Sequence, residues 1–154
     1  MATLKGTNAT LRANVPSEKV PPGEGYGRLH IMYDDYLTPG AAPSNGDLIN
    51  FMKIPVNFRV MEAALAFPDM GTAGTVELGW AASDDGTTET ADDNGFLASI
   101  DVNTAADVVL MSSYANLAGQ CKKFSAEVQV QLTVTAAWTS TSARIRCWII
   151  GMVD

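Results

Sequence analysis

Charge is scarce in this 154-residue chain. Only 18% of its residues are Asp, Glu, Lys or Arg, against about 25% in an average soluble protein, and a neutral surface suits burial in an assembly. Positive charge is scarcer still, with 10 Lys and Arg against 17 Asp and Glu, a net charge of −7. Affinity for nucleic acid rests on Lys and Arg neutralising phosphates, so a chain this acidic is a poor general phosphate binder. There is one histidine, His30, and any Ser-His-Asp or Cys-His arrangement would have to use it as its base. Two cysteines, Cys121 and Cys147, are too few for a disulfide framework or a Cys-type zinc site, and both are expected to be reduced and partly buried. No stretch approaches the ~18 apolar residues of a membrane span. The opening MATLKGTNAT has no apolar run behind Lys5, so no secretory signal is expected. Nucleophile-elbow, H-E-x-x-H, G-x-G-x-x-G and P-loop motifs are all missing. These absences lead us to expect no enzyme, no cofactor and no metal.

What is present is a chain for one globular domain. Hydrophobic residues make up 47%, and a chain of this length buries roughly 68–70% of its unfolded surface without a metal or disulfide staple. Residues 1–25 stand apart. Pro16, Pro21, Pro22, Gly23 and Gly25 punctuate them, and Leu4, Leu11, Val15 and Val20 follow neither a helical nor a strand period. Lys5, Arg12 and Lys19 against Glu18 give residues 1–23 a net charge of +2, leaving −9 on the rest. The division is therefore an extended basic arm over 1–25 and a body over 26–154.

The body reads as strands. In YGRLHIMY, Leu29, Ile31 and Tyr33 share one face while Arg28, His30 and Met32 share the other, and the following DDYLTPGAAPSNG reads as a loop. Strands are expected over 47–53, over 56–67 with a bulge near Met61–Glu62 where the apolar parity shifts, and over 75–82. FLASIDV and NTAADVVLM each suggest a further strand. In 125–138, Val128, Val130, Leu132 and Val134 alternate with Glu127, Gln129, Gln131 and Thr133. Residues 143–154 are expected to pair with it as a terminal hairpin. About eight strands with no long helix indicate an all-β antiparallel sandwich of jelly-roll-like type.

Three groups of residues invite a functional reading. Asp84, Asp85, Glu89, Asp92 and Asp93 form an acidic loop without EF-hand spacing, which reads as solvated surface ahead of a cation site. Trp80, Trp138 and Trp148 with Tyr26, Tyr33 and Tyr36 could form a sugar platform, although aromatics at alternating strand positions more often pack in cores or subunit interfaces. His30 beside Arg28 reads as a surface histidine. Asn8-Ala9-Thr10 matches a glycosylation sequon and reads as chance.

The segments GDLINFMKIPVNFRVMEAALAF and GTAGTVELGWAASDDG carry a resemblance. With Gly46-Asp47, Ile54-Pro55, Gly79-Trp80 and Asp85-Gly86 in order, and a basic arm in front, the chain resembles the head decoration, or capsid cement, proteins of tailed bacteriophages. The resemblance implies a jelly-roll-like protein without catalysis. It further implies a homotrimer on the outer surface of the icosahedral shell of major capsid protein, assembled in the host cytoplasm, with no nucleic-acid or membrane partner. Leu4, Lys5, Leu11, Arg12 and Val15 of the arm are the candidate capsid-binding residues. A carbohydrate-binding or adhesion module, such as a phage head-fibre domain, is the alternative, with a small hydrolase behind it.

Overall fold

The computed structural model describes residues 28–38, 40–103, 105–113 and 118–153. Residues 1–25, assigned to the arm, lie outside the described residues, as do the expected contact residues Leu4, Lys5, Leu11, Arg12 and Val15.

The described chain is all-β. Its strands are β1 (His30–Leu37), β2 (Leu48–Ile54), β3 (Phe58–Phe67), β4 (Thr75–Trp80), β5 (Asp92–Asp101), β6 (Asp107–Leu110), β7 (Val128–Ala136) and β8 (Arg144–Val153). A single 3-10 turn, Met111–Ser113, follows β6. The strands form two four-stranded sheets, ordered β1-β8-β3-β6 and β2-β7-β4-β5. Every pairing in them is antiparallel. Apart from β4 and β5, which pair in one sheet, strands consecutive in sequence fall in opposite sheets, so the chain wraps around the core as a jelly roll.

The core forms where the inward faces of the sheets meet. In β7, Val128, Val130, Leu132 and Val134 are all buried and the residues between them are not, as the period-2 alternation requires. Val60, Leu65, Ile145 and Ile149 meet them from the other sheet in one continuous hydrophobic cluster. Trp80 packs against Phe96 and Phe124, with ring centroids 5.0 and 5.2 Å away. Gly95 makes this possible, because a Cβ there would lie 2.2 Å from the Trp80 ring.

The bulge expected near Met61–Glu62 is present. The β3–β8 register runs Val60 to Gly151 and then Glu62 to Ile150, so Met61 has no opposite number. Glu62 Oε1 accepts hydrogen bonds from the Ala63 and Ser112 N–H groups at 3.1 and 3.0 Å, tying the turn after β6 to the bulge.

Four sequence expectations need correction. The last two strands are not a hairpin: β7 lies between β2 and β4, while β8 lies between β1 and β3 in the other sheet. Alternation tells which face of a strand is buried, not which strand lies beside it. The first strand extends through Asp34, Asp35, Tyr36 and Leu37, read as loop, because pairing with β8 outweighs their turn propensity. Its orientation is also reversed, with Met32 and Tyr36 packed on the core and Ile31 and Tyr33 outside. Finally, Cys147 is buried, but Cys121 is exposed; both are free thiols.

Candidate binding surface

The outward face of the β1-β8-β3-β6 sheet is the most unusual surface among the described residues. The registers place Tyr33 opposite Trp148, Trp148 opposite Ala64, and Ala64 opposite Leu110. One row nearer the β7–β8 turn, the sequence across the strands is Asp35, Arg146, Ala66, Val108. On the other side Ile31 stands opposite Ile150. A solvated outer sheet face normally carries polar side chains. Here Ile31 is 71% exposed, Tyr33 57% and Val108 54%, and the half-buried Trp148 and Ile150 lie between them. Contiguous exposed apolar surface of this kind marks an interaction site.

The apolar rows end at two arginines. Arg144 Nη1 pairs with Asp35 Oδ2 at 2.9 Å. Arg146, also exposed, has no hydrogen-bond or ion-pair partner among the described residues. Together with Ala66, Phe67, Pro68, Ala106, Asp107 and Val108 they line a shallow groove of about 600 Å³, so one carboxylate shares it with the two arginines. Two neighbouring guanidinium groups are conspicuous on a chain of net charge −7, and each is shaped to take a carboxylate bidentately.

The acidic loop, 81–91, lies at the opposite end of the strands, and its inner side is fixed. Asp85 accepts hydrogen bonds from the Ser83 and Thr88 hydroxyls and from the Thr87 and Thr88 N–H groups. The Ser83 hydroxyl bond first, then the others, hold its carboxyl well below the usual carboxylate range. Glu89 is buried; it meets Lys122 Nζ at 2.9 Å and accepts a hydrogen bond from the Ser125 N–H at 2.7 Å. Burial alone pushes this carboxyl up, but Lys122 and Ser125 outweigh it and the net direction is down. The Lys122 ammonium also sits 5.2 Å from the Trp80 ring centroid and 5.0 Å from that of Phe124. Glu89 is therefore a brace for the loop, while Asp84 and Asp93 remain exposed. No group of three metal-ligating side chains occurs among the described residues.

The other sequence candidates separate on burial. Trp80 and Trp138 are core residues, so no platform forms from the three tryptophans. Tyr33 and Trp148 are brought together by register, and Tyr36 packs inward. Tyr26 lies outside the described residues. His30 is exposed at the first position of β1, with no partner among the described residues to form a catalytic relay. Sequence reasoning missed the apolar sheet face. Its signal was the unbroken run Cys147-Trp148-Ile149-Ile150, because a strand with only one covered face alternates.

No family model matches the chain, and no curated protein matches it. Solved structures do. A chain in the capsid of Ralstonia phage GP4 aligns with a TM-score of 0.65 and 21% identity, over 88% of this chain and 90% of that one. A chain of the cyanophage Pam1 capsid asymmetric unit gives 0.63 and 15%, over 92% and 96%. A chain in the acidic stable capsid of Helicobacter pylori bacteriophage KHP30 gives 0.55 and 13%, over 82% and 89%. These likenesses run almost end to end in both partners, so the whole fold is shared rather than a fragment of it.

Proposed function

We propose that the protein is a capsid decoration, or cement, protein that binds the outside of a tailed-phage icosahedral head and stabilises it. The observation that carries this reading is the fold: a jelly roll shared nearly end to end with chains of three phage capsids. The apolar outer face of the β1-β8-β3-β6 sheet supports it, since a protein whose work is contact needs such a surface and no catalytic centre. In this reading the partners are the shell of major capsid protein and further copies of the chain in a homotrimer. It acts in the virion, after assembly in the host cytoplasm, and it is not an enzyme. Leu4, Lys5, Leu11, Arg12 and Val15 contact the shell, with the apolar residues supplying most of the affinity. Exposed ion pairs add only ~0.2–1 kcal/mol each, so the charges steer and orient.

The test is binding to purified empty phage shells by the full chain and by a chain lacking residues 1–23. The full chain is expected to co-sediment to saturation and the shortened chain to bind far more weakly while keeping its fold. Equal binding by both would move the contact from the arm to the sandwich.

One observation favours the alternative, a carbohydrate-binding or adhesion module. Tyr33 and Trp148 are neighbours on an exposed face, and paired aromatics are a common sugar-binding device. A glycan array separates the readings, because a glycan that binds the wild type and not Trp148→Ala would support the adhesion module.

A further inference from the structure

We infer that the outward face of the β1-β8-β3-β6 sheet is covered by a second copy of this chain, whose acidic β4–β5 loop meets Arg144 and Arg146. The inference deepens the self-association in the proposed function and rests on that part of it. Three observations converge on this occupant.

The first is the chemistry of the face. Its centre is apolar, with Ile31, Tyr33, Trp148, Ile150, Val108 and Leu110 in cross-strand rows. Asp35, Asp107, Arg144 and Arg146 lie toward one end of it, and Arg59 and Glu62 lie toward the other, so the apolar rows run between two charged margins. An apolar centre with charge at the rim is the anatomy of a subunit interface.

The second is charge. Copies of a chain with net charge −7 repel one another at long range, so a stable contact between them needs local opposition of sign. The chain supplies both halves. Arg146 has no partner among the described residues; the β4–β5 loop carries Asp84 exposed, within Coulombic reach of Lys53, and Asp93 is exposed at the second position of β5, with no Lys or Arg between the two in sequence. Glu89 braces that loop through Lys122 and the Ser125 N–H, so its exposed carboxylates are presented on a fixed base. A rigid acidic projection costs less entropy to dock than a mobile one.

The third is size. Strands rise ~3.4 Å per residue and lie ~4.8 Å apart, so four strands led by an eight-residue β1 make a face of roughly 27 by 19 Å. That is about 500 Å², short of the ~800 Å² per partner of a standard interface. The apolar face alone is too small, and a docked loop would supply the remainder. The contact joins different surfaces on the two copies and is heterologous, the kind that closes by rotation into a ring.

The experiment measures mass by sedimentation velocity across micromolar concentrations of the full chain. Wild type is expected to self-associate. Arg146→Glu, and separately Asp84→Lys with Asp93→Lys, are each expected to weaken association at least tenfold, with thermal melting showing that both still fold. Mixing the two variants is expected to restore a mixed oligomer, because the reversed charges then face each other across one of the contacts. Tyr33→Glu, changing a side chain already exposed, is expected to dissociate the oligomer and not to be rescued by mixing. Oligomers that persist unchanged in all of these variants would overturn the inference and leave self-association intact. A wild type that stays monomeric at every concentration would overturn both, and shell binding by that monomer would still leave the decoration reading standing.

Discussion

Tyr33 stands directly opposite Trp148 in the β1–β8 register, on the outside of the sheet, while the residues next to them in sequence, Met32 and Ile149, pack into the core. One strand pair thus carries apolar residues on both faces, with consequences that can be measured separately.

Two isoleucines should respond oppositely to truncation. Ile145 is fully buried, whereas Ile31 is 71% exposed. Ile145→Ala is expected to cost about 2–5 kcal/mol through lost burial and a residual cavity. Ile31→Ala in the dissociated chain should change stability by no more than about 0.5 kcal/mol. Urea unfolding at low concentration checks both, and a large loss from Ile31→Ala would mean that β1 is turned the other way.

The Glu89–Lys122 pair should give stability a pH dependence. The Glu89 carboxyl is held below its ordinary range in the folded chain, so the unfolded chain binds its proton more readily. Its contribution is complete above the unfolded carboxylate pKa of ~4.3 and is lost as pH falls through the lower folded value. Unfolding free energy should therefore fall more steeply below about pH 5 in wild type than in Glu89→Gln. At neutral pH Glu89→Gln should cost ~1–3 kcal/mol, because it weakens the pairing of the partly buried Lys122 ammonium. Parallel acid slopes in the two proteins would show that Glu89 contributes nothing to the brace.

Gly95→Ala should strain the aromatic cluster. The new methyl group would meet the Trp80 ring at 2.2 Å, with the Asp92 carboxyl carbon also 3.0 Å away. Overpacking of this kind typically costs about 1–3 kcal/mol. The near-ultraviolet circular dichroism should change with it, since Trp80 must move against Phe96 and Phe124.

Chelation should leave the fold unchanged. Asp85 already accepts hydrogen bonds from Ser83, Thr87 and Thr88, and Glu89 is engaged by Lys122. Neither calcium nor a chelator at millimolar concentration is expected to shift the melting temperature. A rise of many degrees with calcium would reassign the acidic loop as a cation site.

The fold was largely legible in the sequence because its strongest elements follow single-strand rules. The alternation of β7 gave its buried face, and the parity shift in β3 gave the bulge at Met61. Pairing was less legible, since the partner of a strand is decided by the whole wrap of the chain; hence β7 and β8 read as a hairpin and lie in different sheets. The candidate surface was the least legible. Ile31, Tyr33 and Trp148 look like core residues by composition, and only a sheet with both faces apolar reveals that one set points outward. Glu89 was hidden for the converse reason, being an acid in an acidic loop whose partner Lys122 is remote in sequence.

Attachment to a phage shell is tested most directly by the heat-disruption temperature of purified empty phage shells with and without saturating full-length protein, alongside co-sedimentation of the two. A decoration protein should co-sediment saturably and raise the temperature at which the shells disrupt. Shells that neither retain the protein nor gain resistance to heat would contradict the decoration reading.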